Sequence, residues 1–177
     1  KIIEKSQPPY ENFDQDYLYY NTPFYPGFYV GFAAMAVGGA ERVVDEFEKH
    51  TAGRIRFSGV KEKESPTSQR VLAELKLELI SAKSLLTEYI TMMETDKDGP
   101  YEGAKYKAIR ALIIEKCTQI GVKALLTLGG HALLKGHPVE LFSRDIIAIA
   151  THITSLYEDG IMGYGRHLFG VKTNIHG

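Results

Sequence analysis

Apolar residues recur at three- and four-residue intervals along most of this chain, the spacing of one face of an α-helix. The clearest seam is Leu72, Leu75, Leu79, Ala82, Leu86, Tyr89 and Met93, which predicts a helix opening at Ser65-Pro66 and ending before Asp98-Gly99-Pro100. A further helix starts near Pro100 and carries Ala104, Ala108, Ala111, Ile113, Cys117, Ile120 and Ala124 as far as Gly129-Gly130. Ahead of both, Gly27 to about Lys49 reads as a buried helix with Pro26 in its first turn. Gly31, Ala34, Gly38 and Gly39 would admit a close neighbour, while Phe32, Met35, Val43 and Phe47 supply bulk. His137-Pro138 restarts the pattern, and Val139, Phe142, Ile146, Ile149, Ile153, Leu156 and Gly160 then form one continuous stripe on a single helix. Asp145, His152 and Asp159 each stand one position before a stripe residue, which predicts a polar row along the margin of that buried face. Strand signals are absent after Tyr29. The expected fold is all-α, an antiparallel four-helix bundle over residues 27–177, preceded by an entry segment or linker over 1–26.

Composition narrows this picture. At 177 residues and 44% hydrophobic content, the chain is long enough to bury the core of one domain. Its 21 basic and 22 acidic residues are scattered, so no basic face recommends nucleic acid or a membrane surface as partner. Cys117, the only cysteine, excludes an internal disulfide and a cysteine-built metal centre and reads as a core residue. No apolar run approaches the roughly 20 residues that span a bilayer, and no signal peptide opens the chain, so a cytoplasmic location is the expectation. The first residue is Lys1, and an aperiodic segment rich in Pro and Tyr follows, which reads as the entry to the carboxy-terminal piece of a longer protein.

Candidate chemistry is sparse. Glu-x-x-His and His-Glu-x-x-His spacings are absent, which leaves no metal site to propose. Gly-x-Ser-x-Gly and the glycine-rich phosphate loops are absent too. What remains is the loop Gly53 to Gly59, GRIRFSG, whose two guanidinium groups and hydroxyl suit a phosphate or pyrophosphate, although most surface arginines are simply solvated. The stretch Thr22 to Tyr29, TPFYPGFY, reads as an aromatic loop that either covers the end of the bundle or walls a planar ligand. His152 is either a hydrogen-bonded histidine at the edge of the packing or a functional one. Arg144 and Asp145 are expected to pair with neighbouring helices, and His131 and His137 to cap or face solvent.

The segment Leu128 to Asp145, LGGHALLKGHPVELFSRD, resembles the carboxy-terminal bundle of the acyl-CoA dehydrogenase superfamily through Gly129-Gly130, Pro138-Val139-Glu140 and Arg144-Asp145. The loop Arg54 to Gly59 is similar to that family's Arg-x-x-Phe-Gly segment, with Ser58 interposed. Both segments reach the phosphate end of a flavin in the family, often across a subunit boundary. The resemblance therefore implies Arg54, Phe57, Ser58, Gly129 and Gly130 as cofactor-binding candidates. Where many of these dehydrogenases carry a glutamate base, nine residues after the arginine of Arg-Asp, this chain has Ile153, which cannot take a proton.

The preceding residue, His152, resembles the histidine of flavin-dependent monooxygenases that share the fold, the 4-hydroxyphenylacetate and dibenzothiophene type, and Tyr164 to Gly170 is similar to their last segment. In those enzymes a separate flavin reductase delivers reduced flavin, and oxygen adds to form a hydroperoxide beside the histidine. What the resemblance implies is the oxygenase component of a two-component monooxygenase. It would use reduced FMN or FAD and O2 to hydroxylate a small, aromatic substrate, as a homotetramer. His152 would be the catalytic residue, and Phe24, Tyr25, Phe28 and Tyr157 would contact substrate. An acyl-CoA dehydrogenase-type flavoenzyme with its base elsewhere and a non-catalytic helical interaction domain are the alternatives.

Overall fold

Among residues 24–95 and 103–171, which the computed structural model describes, the chain forms five α-helices. These are α1 (Phe24–Gly53), α2 (Pro66–Thr95), α3 (Gly103–Leu128), α4 (Pro138–Ala150) and α5 (Tyr157–Leu168), with short 3-10 turns at Glu62–Glu64, Gly130–Leu133 and Ile153–Ser155. The fold is an all-α helical bundle, and among the described residues its only strand-like pairing is an isolated bridge between Ile55 and Lys61. None of the described helices is long and apolar enough to cross a membrane.

Helix α3 packs against each of the other four helices. Its buried Ile113, Ile114, Cys117, Ile120 and Ala124 meet Ala36, Val43, Val44 and Phe47 of α1, Val71, Leu75 and Leu79 of α2, and Val139 and Ile146 of α4 in one core. Fully burying side chains such as Phe47, Leu75, Ile113 or Ile146 contributes about 1.5–3 kcal/mol each. Cys117 is free and buried there, and burial pushes its thiol up to about 12, the state of an inert core residue. A second cluster, Tyr89, Met92, Met93 and Tyr106, lies beside it. The Tyr89 hydroxyl donates to the Pro26 carbonyl at 3.1 Å and so ties α2 to the first turn of α1.

Three expectations change. First, Phe24 to Tyr29 is not a loop but the opening of α1, because Pro26 in the first turn has no N–H that the helix requires. Residues 1–23 lie outside the described ones, as does the turn at Asp98-Gly99-Pro100. Second, the small face of α1 that packs is Ala33, Ala36 and Ala40 with Gly39, while Gly31, Ala34, Met35 and Gly38 are exposed.

Third, the stripe from Val139 to Gly160 does not lie on one helix. Val139 and Ile146 are buried as expected, but α4 stops at Ala150 and Ile153 is 75% exposed. No glycine or proline causes the stop. Thr151 caps α4 and returns its hydroxyl to Ala148 O at 3.1 Å, and the His152 ring accepts from the Thr154 N–H, so local side-chain bonds compete with the helical ladder. The row of Asp145, His152 and Asp159 is broken with it.

After the break α5 turns its Gly160 onto α3. A Cβ built there would lie 2.8 Å from Ala111 Cβ and 3.2 Å from the Lys107 carbonyl oxygen, neither of which can swing aside. Gly160→Ala should therefore cost about 1–3 kcal/mol by overpacking, read as a lower midpoint of thermal or urea unfolding. Gly163→Ala meets nothing within 4 Å on the same helix and should leave stability unchanged or raise it by up to about 1 kcal/mol.

Candidate functional site

The candidate residues gather in two groups along α1, around Phe32 and around Thr51, about 30 Å apart at 1.5 Å per residue. At the carboxy-terminal end the chain reverses through the Ile55–Lys61 bridge, with Gly59 at φ +80° in the turn and its N–H donating to Arg56 O at 2.8 Å. Arg56 grips Glu62 with two bonds, Nε to Oε2 at 2.8 Å and Nη2 to Oε1 at 2.6 Å, and also donates to Ser65 Oγ at 2.8 Å. Hydrogen bonds from Arg56 and then from Ser68 hold the Glu62 carboxyl well below the usual range, at about 2. Arg56 is thus tied into the hairpin, whereas Arg54 reaches only across to the Leu128 carbonyl at 3.5 Å.

Between them lies a hollow of about 420 Å³, lined by Phe47, Thr51, Arg54, Arg56, Phe57, Glu62, Ser68, Thr127 and Leu128. Two guanidinium groups against one carboxylate leave it with one positive charge. Thr51 also lines the hollow, and its buried Oγ1 finds no hydrogen-bond partner among the described residues. Phe57 stands fully exposed at its edge, and Ser58 sits in the neighbouring turn without lining it. Gly129, at φ +78°, follows Leu128 directly and Gly130 opens the next 3-10 turn, so the structure sets the glycine pair beside Arg54 without placing it in the lining.

Three histidines stand at this same end. The rings of His50, His131 and His137 form a triangle with centroids 5.6–5.9 Å apart. His137 caps α4, its Nδ1 accepting from the Val139 N–H at 3.2 Å. Burial, then the neighbouring His137, Arg54 and His131, holds His50 below its ordinary value of 6.5, with Glu62 opposing. Among the described residues no group of three or more His, Cys, Asp or Glu side chains is arranged to hold a metal ion.

The amino-terminal end of α1 holds the aromatic group. Tyr25 stacks on Tyr29 at 6.2 Å, Phe28 meets Tyr29 edge-on at 5.1 Å, Tyr29 lies 6.1 Å from Phe32, and Phe32 stacks on His152 at 5.6 Å. His152 is exposed in this chain, not embedded in an isoleucine-rich wall, because the break after α4 carries it out of the core. Its Nδ1 lies 2.8 Å from Thr154 Oγ1 and accepts from Thr154 N–H at 3.3 Å. In the neutral ring the proton therefore sits on Nε2, which becomes the donor.

The structure thus brings Tyr25 and Phe28 together with His152 through Tyr29 and Phe32. Tyr157 opens α5 five residues further on, and the Phe24 side chain lies outside the described atoms. Arg144 and Asp145 do not reach neighbouring helices as expected. Both are exposed, and Arg144 lies 3.5 Å from Glu140 one turn back and 4.0 Å from Asp145.

Sequence reasoning missed Thr51, Glu62 and Arg110. Arg110 is buried on α3, its guanidinium 4.4 Å above the Tyr29 ring centre while Nη2 donates to the Thr154 carbonyl. One signal pointed to it, a lone charge inside the apolar run Ala108 to Ile114.

Comparison with known proteins bears on this arrangement. The family profile described as acyl-CoA dehydrogenase, C-terminal domain, matches residues 30–155. No curated protein matches the chain. Among solved structures, XiaF from Streptomyces sp., determined in complex with FADH2 and glycerol, superposes with a TM-score of 0.80 at 15% identity, over 88% of this chain and 41% of that one. The 3-HSA hydroxylase from Rhodococcus sp. RHA1 superposes with a TM-score of 0.76 at 23% identity, over 88% and 42%. An acyl-CoA dehydrogenase from Geobacillus kaustophilus gives 0.70 at 20% identity, over 81% and 36%. At these identities the likeness is one of fold, and the chain spans about two-fifths of the length of each.

The histidine triangle generates a pH dependence. The unfolded chain protonates His50 near pH 6.5 while the fold resists that proton, so the contribution is fully present above pH 6.5 and is lost as pH falls from there through the lower folded value. His50→Gln should flatten the dependence of the urea midpoint on pH in this window while leaving the slope at higher pH unchanged.

Proposed function

The chain belongs to the acyl-CoA dehydrogenase C-terminal domain family, and from that premise we propose that it is the carboxy-terminal bundle of a flavin-dependent monooxygenase. The observation that carries the reading is the His152 assembly. An imidazole whose Nε2 is the donor stands on an aromatic shelf, beside an isoleucine where a dehydrogenase of this family would carry its carboxylate base. An isoleucine cannot abstract a proton, and a neutral imidazole donor suits oxygen chemistry better than carbanion formation.

The residues present fit a flavin. Arg54 and a hollow of about 420 Å³ suit its phosphate portion, with Phe57 at the edge and Gly129-Gly130 beside it. Reduced flavin, as FMN or FAD, would supply the electrons that activate O2, so that one oxygen atom enters the substrate and the other leaves as water. The chain's own part is narrower. Arg54 would pair with a phosphate, His152 would donate from Nε2 to the reacting oxygen, and Tyr25, Phe28 and Tyr157, with Phe24 ahead of them, would wall a small aromatic substrate.

Because the Phe32 and Thr51 positions on α1 lie about 30 Å apart, one bundle would serve two sites, the Arg54 end reaching the flavin of a neighbouring subunit in a homotetramer. The remaining domains of a longer chain would cover His152 and exclude water. A separate flavin reductase would deliver the reduced cofactor. Two of the solved structures support the reading, one holding FADH2 and the other a hydroxylase.

The full-length protein, supplied with a flavin reductase and NADH, should couple oxygen uptake to hydroxylation of a phenolic substrate. His152→Asn should lower product formation about 100-fold while oxygen uptake continues and hydrogen peroxide is released. Acyl-CoA-dependent dye reduction without any reductase would overturn the proposal in favour of a dehydrogenase.

A further inference from the structure

We infer that Arg110 is the positioning residue for His152. The guanidinium is buried on the central helix and makes two contacts that converge on the imidazole by different routes. Through Nη2 it holds the Thr154 carbonyl, and Thr154 is the residue whose N–H and hydroxyl engage His152 Nδ1. Through its flat face it holds Tyr29, which packs on Phe32, on which the imidazole stacks. One arm sets the tautomer and the direction of Nε2, and the other sets the plane of the ring.

The arrangement needs an arginine. The guanidinium donates to the carbonyl while its carbon lies 4.4 Å from the Tyr29 ring centre, and a planar cation with in-plane donors is suited to meet both at once. A lysine could reach the carbonyl without covering the ring. The 3-10 turn Ile153–Ser155 is short, its Ile153 and the following Leu156 are exposed and only Ser155 within it is buried, so little apolar packing holds it in place besides this contact from α3. Arg110 touches neither substrate nor cofactor in this scheme and acts through Thr154 and Tyr29.

The kinetic arm of the test rests on the oxygenase reading, so a second arm is chosen that does not. Hydrogen–deuterium exchange at the C2 proton of His152, followed by mass spectrometry at fixed pH in the full-length protein, reports the freedom of that ring whatever the enzyme does. Arg110→Met should speed this exchange several-fold while the exchange of His50 and His131 stays as in wild type, and Arg110→Lys should restore part of the difference. With reductase and a phenolic substrate, Arg110→Met should lower kcat about tenfold to a hundredfold with KM little changed, and should raise the hydrogen peroxide released per oxygen consumed.

Unchanged His152 exchange in folded Arg110→Met overturns the proposal. So does a loss of kcat that Arg110→Lys does not relieve at all. Should Arg110→Met fail to fold, Arg110→Gln, whose amide keeps a donor near the Thr154 carbonyl, takes its place with the same supporting and overturning outcomes. If wild type shows no reductase-dependent oxygenation, the oxygenase reading falls while the exchange measurement still decides the role of Arg110.

Discussion

A guanidinium inside a helical bundle must be met by acceptors and ring faces, because an unmet buried charge costs several kcal/mol and unfolds the region around it. Arg110 imposes that requirement on this fold. It lies on α3, the helix that packs on all the others, and is met in part by a backbone carbonyl at Thr154 and by the face of Tyr29. A carbonyl directed at Arg110 is not directed along a helix axis. Thr154 is therefore found in a short 3-10 turn between two helices, and the chain that might have run straight from Pro138 to Leu168 bends there.

The bend has consequences for packing and for chemistry together. It rotates α5 so that Gly160 seats against Ala111 and the Lys107 carbonyl, a contact that admits no Cβ. A similar approach recurs between α3 and α4, where a Cβ at Gly121 would lie 2.9 Å from Ser143 Oγ. The central helix thus meets α4 and α5 through a glycine on one side of each contact. The same bend lifts His152 out of the core stripe and onto the shelf of Phe32, Tyr29, Phe28 and Tyr25, where its Nε2 becomes an outward donor.

The other end of α1 works by charge. There a hairpin of residues 54–65 binds Glu62 to Arg56 by two hydrogen bonds, which leaves Arg54 as the cation of the hollow not held by a carboxylate. In the proposed reading these two ends divide the labour of a flavin site between subunits, one grasping phosphate and the other presenting a donor to oxygen. The chain spans about two-fifths of each solved structure it superposes on.

The helices α1, α2 and α3, and the core faces of α2 and α3, were legible in the sequence, because burial on one side writes a 3.6-residue period into the apolar positions whatever the partner helix turns out to be. Leu75, Leu79, Ala82, Ile113, Cys117, Ile120 and Ala124 were all readable in this way. So was the cationic loop, whose arginines stand two residues apart. The break between α4 and α5 was not, since Ile153, Leu156 and Gly160 continue the period and no glycine or proline marks the stop. Side-chain bonds of Thr151 and His152 compete with the helical ladder there, and tertiary contacts favour the break, through the bond from Arg110 to the Thr154 carbonyl and the fit of Gly160 on α3. The division between Arg54 and Arg56 was equally hidden, because which guanidinium is engaged depends on where Glu62 and Ser68 stand after folding. Period and composition report what one residue does relative to its near neighbours in the chain, whereas the placement of His152 depends on a residue forty-two positions before it.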